Sequence, residues 1–318
     1  MGKPRILLIG AGGQLGSELA VALRHLYGTD QVIATDIRES KDAREQGPFE
    51  LLDVMQVDQL HQIIRKYGVT QIYHLAAVLS ATGEKDPRRA WNLNMESLIH
   101  VLEAAREHAL DKVYWPSSIA AFGPETPKTN TPQQTVMDPS TVYSMSKLAG
   151  ELWCSYFFRR YGVDVRSLRY PGLIGWKTPP GGGTTDYAVD IFFKAVRDGK
   201  FTSFLAADTY LPMMYMDDAI KATIDLMEAP AGQVRVRTSY NIGAMSFCPA
   251  QLAATIRKYI PGFSISYEPD FRQTIADSWP RSIDDREARN DWGWQHRFGI
   301  EEMTADILRN LAPGIVTG

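Results

Sequence analysis

The amino-acid sequence predicts an α/β protein, a doubly wound parallel sheet followed by a smaller C-terminal unit. Three observations predict it. Short β-branched runs alternate with segments of helical period from residue 5 to about residue 170; a glycine-rich turn joins the first run to the first helical segment; and after Pro171 the texture changes to Pro- and Gly-rich stretches. Helices that cross over both faces of a sheet bury its strands completely, so such strands are short and continuously apolar.

In chain order, strands are expected at 5–9, 31–35, 71–75, 112–115 and 164–168, with crossover helices at 14–26, 57–67, 88–108 and 144–161. Within the third helix Leu98, Val101, Leu102 and Ala105 recur at three and four, the period of one buried face. Beyond Pro171 the chain predicts helices near 185–198 and 216–227 and a strand at 240–242, separated by loops at 177–185 and 229–233. No internal repeat or low-complexity linker divides the two parts, which places a ligand cleft between them.

Composition narrows the function. With 318 residues, 44% apolar and 22% charged, the chain can bury a sizeable core, and disordered or collagen-like architectures are excluded. A net charge of −3 gives no reason to expect nucleic acid or an anionic membrane as partner, and a small molecule fits better. Cys154 and Cys248 are too few for a disulfide framework, and neither they nor the six histidines show ligand spacing, so no metal is expected and the cytoplasm is the expected compartment. The N-terminus shows no leader pattern, and no apolar run approaches the roughly 18 to 20 residues of a membrane span.

The first strand ends in Gly10-Ala11-Gly12-Gly13-Gln14-Leu15-Gly16 and enters a helix directly. Residues without Cβ let backbone amides reach a pyrophosphate, the helix that opens at Gln14 and Leu15 adds partial positive charge, and Gly16 lets helix and strand pack closely. The spacing is Gly10-x-x-Gly13-x-x-Gly16, and the strict dinucleotide pattern would want glycine where Leu15 stands. Such glycines could also serve a tight turn alone. Asp36 changes that balance: 20 residues beyond Gly16, it can accept both hydroxyls of an adenosine ribose and would repel a 2′-phosphate, which favours NAD over NADP, although Arg38 works the other way. Asp53 either meets the adenine amino group or caps a helix. The third strand ends in Leu75-Ala76-Ala77, small residues that let a cofactor pass, with Ser80 just beyond.

Tyr143 and Lys147 lie four apart and share one helix face. A phenol with reference pKa near 10 needs a shift of about 3 units, roughly 4 kcal/mol, to act as a base at neutral pH, and a neighbouring ammonium and a nicotinamide cation would supply it. The bland alternative is a packed tyrosine beside a solvated lysine. Upstream, Ser117 and Ser118 end a strand at the ligand-binding edge, where Ser118 could bond a reacting oxygen or either serine could cap a turn.

Taken together, the glycine turn, Asp36, Leu75-Ala76-Ala77, Asn94, Ser117-Ser118 and Tyr143-x-x-x-Lys147 resemble the extended short-chain dehydrogenase/reductases over most of the chain. The resemblance implies a Rossmann-type fold and NAD as cofactor, held in part by Tyr143, Lys147 and Tyr170. It also implies Ser118, Tyr143 and Lys147 as catalytic residues, and Asn94 as a helix-bending structural residue; the 25-residue spacing to Tyr143 selects Ser118 over Ser117. Members acting on nucleotide sugars usually carry an asparagine after the stretch matching Leu168-Arg169-Tyr170, where this chain reads Pro171-Gly172. Instead, 117–124, the loop 179–188 and 277–285 closely resemble the branch of the family that oxidises L-threonine at C3. That implies a lid over 181–183, and an amino acid held by Ser80, Ser118, Tyr143, Thr184, Thr185 and Trp279; on the residues alone, Trp279 could be core and the threonines helix caps. A nucleotide-sugar epimerase or dehydratase is the competing activity, and an NAD-binding scaffold without chemistry the third.

The expected domains are 1–172 with a return segment near 214–243 for the cofactor, and 173–213 with 244–318 for the substrate. Helical segments 94–108 and 144–161 carry more apolar positions than one sheet face needs, which predicts a homodimer through a four-helix interface.

Overall fold

The computed structural model describes residues 2–39 and 46–314. Its first half runs β1 (Ile6–Ile9), α1 (Gln14–Tyr27), β2 (Val32–Asp36), β3 (Phe49–Leu51), α2 (Val57–Tyr67), β4 (Gln71–His74), α3 (Ser80–Gly83), α4 (Pro87–Glu107), β5 (Lys112–Tyr114), β6 (Ser117–Ser118), α5 (Val142–Tyr161) and β7 (Val165–Arg166). Six of these strands form one parallel sheet in the order β3-β2-β1-β4-β5-β7. The order reverses between β1 and β4. That switch point opens a crevice at the carboxyl ends of the strands, where ligands of such sheets bind.

Burial explains the sequence pattern. All four residues of β1 are almost wholly buried because both faces of the sheet are covered. On one face Leu7, Ile9 and Ile33 pack with Leu60 of α2, Leu98 and Val101 of α4 and Phe157 of α5. The other face joins Ile6 and Leu8 to Leu19 of α1 and to Ala222 and Leu226 of a helix from the second half. Each such side chain contributes about 1.5–3 kcal/mol relative to exposure.

The second half comprises β8 (Leu168–Tyr170), β9 (Gly172–Ile174), α6 (Tyr187–Asp198), β10 (Lys200–Ser203), β11 (Leu211–Tyr215), α7 (Met216–Glu228), β12 (Tyr240–Asn241), β13 (Met245–Phe247), α8 (Pro249–Arg257), β14 (Ser264–Tyr267), α9 (Phe271–Asp277), α10 (Arg286–Trp292) and α11 (Ile300–Leu311). Helix α7 returns to cover the first sheet beside α1. Helices α6, α8 and α11 build a separate core from Tyr187, Phe192, Leu252, Ile256, Ile307 and Leu308. Two three-stranded sheets, β12-β8-β6 and β13-β11-β9, and the pair β10-β14 complete the protein.

Two differences from the expected elements stand out. Strand β3 was not expected, being three residues on the sheet edge with no apolar run to mark it. The single strand expected at 164–168 is two: Val165–Arg166 pairs with β5, and Leu168–Tyr170 turns away to pair with β6 and β12. That divergence carries β6 out of the large sheet and places Ser117 and Ser118 over the crevice.

Candidate active site

The glycine turn is built by backbone against backbone. Gly10 adopts φ +84°, and a Cβ there would stand 2.8 Å from the Ala76 amide nitrogen. At Gly16 a Cβ would meet the Gly10 carbonyl oxygen at 2.2 Å, so α1 can approach β1 only without a side chain. Gly13 precedes the first turn of α1, whose amides receive no side-chain cap. Asp36, which ends β2, is not among the residues lining the cleft; its Oδ2 accepts the Gly12 amide at 2.9 Å.

One cleft brings together most of the residues singled out in the sequence. Gly10, Gly13, Gln14, Leu15 and Gly16 line one end; Leu75, Ala77 and Ser80 one wall; Ser118, Tyr143, Lys147 and Tyr170 the floor; and Thr184, Thr185 and Trp279 the far side. Ala76 is excluded from it and instead packs its backbone on Gly10. Asp53 also lies outside. It caps no helix, since Gln56 precedes α2, and its Oδ1 accepts the Met55 amide at 3.0 Å in a local turn. The threonines do not cap α6 either, because Asp186 holds that position. Trp279 is both core and cleft wall, 6% exposed. Tyr170 lines the cleft, but its hydroxyl is taken up by Tyr114 (2.6 Å) and Thr223.

Helix α5 supplies the reactive pair. Thr141 caps it, accepting the Ser144 amide at 3.2 Å, and Gly150 lets it lie against Trp115. Asn94 of α4 ties the two walls together, accepting the Val78 amide at 2.8 Å and donating to Ser146 at 3.2 Å. The inward side of α5 buries the polar Lys147, Glu151 and Ser155 as well as Cys154 and Phe157. Its outward face is apolar, with Met145, Leu152, Trp153 and Tyr156 exposed.

The electrostatics of the protein alone favour a neutral Tyr143. Burial pushes the Tyr143 phenol up to about 12, and the Ser118 hydroxyl, bonded to it, pulls only part of the way back. Lys147 does not hold the phenol anionic in this state. Its Nζ donates to the Pro116 carbonyl at 2.6 Å and sits 5.4 Å from the Tyr143 ring centre, and burial lowers its own pKa to about 8. Burial thus favours the neutral phenol, and a further positive charge in the cleft would draw its pKa back down.

One group of buried residues escaped the sequence reading. Ser117 donates to Glu151 Oε1 at 2.6 Å, and Arg169 Nη2 donates to Glu151 Oε2 at 2.7 Å, the pair being almost fully buried. Glu151 lies one helical turn beyond Lys147, a signal at i+4 that was available. Its partner Arg169, 18 residues away on strand β8, was not.

The residues present fit NAD. The uncapped first turn of α1, the Cβ-free approach at Gly10 and Gly16 and the carboxylate of Asp36 make the cradle. The buried Gln14 Nε2, facing the same cleft, has no partner within the protein. The comparisons agree. An uncharacterized epimerase/dehydratase of Staphylococcus aureus (strain USA300) is 51% identical over 310 residues, 96% of each chain. Among solved structures, the GalE-like L-threonine dehydrogenase of Cupriavidus necator (holo form) is 58% identical with a TM-score of 0.95, covering 97% of this chain and 100% of that one. A monomeric L-threonine 3-dehydrogenase from a metagenome (apo form) is 45% identical with a TM-score of 0.94, covering 97% and 99%. The family model for NAD dependent epimerases and dehydratases matches residues 6–243, and the chain belongs to that family, the extended short-chain dehydrogenase/reductases, with NAD as its cofactor.

Proposed function

We propose that the protein oxidises the C3 hydroxyl of L-threonine with NAD⁺, giving 2-amino-3-oxobutanoate, as a cytoplasmic homodimer. The observation that carries the reading is the convergence of Ser118, Tyr143 and Lys147 in one cleft with the glycine turn and with Ser80, Thr184, Thr185 and Trp279 beside the loop at 181–185. That end of the cleft suits a small molecule better than a nucleotide sugar. At Gly172, beside the position where nucleotide-sugar enzymes place a diphosphate contact, even a Cβ would meet Thr185 at 2.7 Å and Met213 Sδ at 2.6 Å.

NAD⁺, when bound, supplies the hydride acceptor and a positive charge beside the phenol. Tyr143, ionised under that charge, accepts the proton of the C3 hydroxyl. Ser118 donates to the oxygen as it becomes a carbonyl, and Lys147, protonated at pH 7, holds the ribose hydroxyls and steadies the phenolate. Ser80 and Thr184, 3.5 Å apart across the cleft, close the pocket over the amino acid together with Thr185 and Trp279. Residues 1–172 with the return at 214–243 hold the cofactor, and 173–213 with 244–318 hold the substrate.

The dimer rests on the apolar side chains that α5 leaves exposed. Exposed Leu152, Trp153 and Tyr156, with Trp91 on the neighbouring α4, form an apolar face suited to a second copy. Light scattering on the purified protein should give twice 35.6 kDa, and a monomer rejects that part.

The activity test compares NAD⁺ reduction by L-threonine with interconversion of UDP-sugars. Turnover with threonine and none with UDP-sugars is expected. Tyr143→Phe should keep NAD⁺ binding and lose at least about 10³-fold in kcat. UDP-sugar turnover alone would replace the reading with an epimerase.

A further inference from the structure

The cleft must accept a substrate carrying opposite charges, and it offers one charged side chain of each sign. Lys147 is the only cation among the described residues lining it, and Asp186 the only carboxylate. Lys147 is committed to the Pro116 carbonyl and to the reacting centre. Asp186 has a different neighbourhood. Its Oδ2 accepts the amides of Gly182 at 2.7 Å and Gly183 at 2.8 Å, and among the described residues no cation lies within ion-pair distance of it. An ionised carboxylate has about four acceptor sites, so two lid amides leave capacity for a further donor. Burial raises the Asp186 pKa, while the amides of Gly183, Gly182 and Gly181 and, from beyond ion-pair distance, the Arg272 charge pull it down.

Building on the threonine reading above, we propose that Asp186 is the group that recognises the substrate's ammonium, and that it couples this recognition to lid closure. The same carboxylate holds the lid amides, and Asp186 lines the cleft as well as a neighbouring pocket shared with Arg272. An ammonium that bonds to Asp186 therefore binds best when the lid amides are also in place, and the closed lid in turn favours the ammonium by the same factor. The neighbouring residues already join the two walls: Thr184 reaches Ser80, and a Cβ on Gly181 would stand 3.6 Å from Leu79 Cδ1. A 3-hydroxy acid without the amino group would lack this contact and bind beneath a lid that has gained nothing from it.

The test uses the full-length protein with NAD⁺ and takes (R)-3-hydroxybutyrate as the probe that lacks the ammonium. In the wild type its inhibition constant should exceed the KM of L-threonine by at least about tenfold. Asp186→Asn keeps the shape and one acceptor oxygen but removes the charge. It should raise the KM of L-threonine about 10- to 100-fold, leave kcat within a few-fold, and leave both the 3-hydroxybutyrate inhibition constant and NAD⁺ affinity unchanged. A threonine KM within twofold of wild type overturns the proposal. So does an equal loss for both ligands, which would make Asp186 a structural support of the lid. If the variant does not fold, equal wild-type binding of the two ligands still overturns the proposal and a tenfold or larger gap supports it. Absence of threonine turnover by the wild type would remove the function itself, a result distinct from each of these.

Discussion

The cleft has a glycine-rich segment at each end, and the two are opposites in construction. At the cofactor end, Gly10 and Gly16 are required because backbone passes within contact of backbone, and the turn is pinned by the Gly10 and Ala11 amides donating to Thr35 O at 2.9 and 3.0 Å. At the substrate end, a Cβ on Gly181 or Gly182 would meet only side-chain atoms at 3.4–3.6 Å, and the segment hangs on one carboxylate, that of Asp186. The first set of glycines secures close approach; the second leaves room where side chains would fit. A cofactor site can be rigid and pre-formed, which lowers the cost of binding, whereas a site that must admit substrate and then exclude water needs a movable wall.

Substitutions can break this contrast. The largest effect is expected from Gly16→Ala, whose new methyl would stand 2.2 Å from the Gly10 oxygen and 2.9 Å from Ala11 Cα. The cost should exceed the roughly 1–3 kcal/mol of ordinary overpacking, and isothermal titration should show NAD⁺ binding weakened by more than about 100-fold. Retention of near-normal NAD⁺ affinity would mean that the turn has slack. The rigid half also includes the Ser117–Glu151–Arg169 cluster beside Ser118. Glu151→Gln leaves the buried Arg169 guanidinium without its counter-charge and should lower unfolding free energy by about 3–5 kcal/mol in denaturant melts.

A smaller effect should come from Lys147, and it carries a pH signature. The folded pKa of about 8 lies below the unfolded value near 10.5, so below pH 8 the lysine is charged in both states and its burial penalty is felt in full. Between pH 8 and 10 the folded protein releases the proton while the unfolded chain keeps it, and stability rises with pH. Without cofactor, Lys147→Met should therefore be more stable than wild type at pH 7 by up to about 3 kcal/mol, and that advantage should shrink toward pH 10. The buried Cys154 thiol, whose pKa is raised, pushes stability the other way above pH 9, but equally in both proteins. A constant difference across this window would show that Lys147 is not desolvated in the free enzyme.

The same contrast explains what could be read from the sequence. The cofactor half was legible because its signals are local: a strand, three glycines and a helix follow one another within residues 6–27, and Asp36 ends the next strand. Tyr143 and Lys147 were legible for the same reason, sharing a helix face. Their electrostatics were not, because the phenol's pKa is set by burial, which depends on walls from β6, α3 and the lid. Likewise, the pairing of Glu151 with Arg169 requires knowing that the chain leaves the large sheet after Arg166, and no residue pattern at 164–170 announces that turn. The bonds from the Gly182 and Gly183 amides to Asp186 are also set by how the loop folds back on itself, which no residue pattern at 179–188 announces.

The smallest predicted effect is the most discriminating. Gly182 sits at φ +94°, a region that L residues enter at a cost of about 1–3 kcal/mol, yet a Cβ there would clear its nearest neighbour, Thr82 Oγ1, at 3.4 Å. In Gly182→Ala the penalty therefore falls on the backbone conformation rather than on packing, and only while the lid is closed as seen here. If closure is required for substrate to bind, the KM of L-threonine should rise about 5- to 10-fold, which corresponds to about 1 kcal/mol, while NAD⁺ affinity and melting temperature stay at wild-type values. The opposite split, with an unchanged KM and a lowered melting temperature, would mean that the lid is permanently seated. The substrate end would then be as rigid as the glycine turn, and the difference between the two ends would lie in their ligands rather than in their motion.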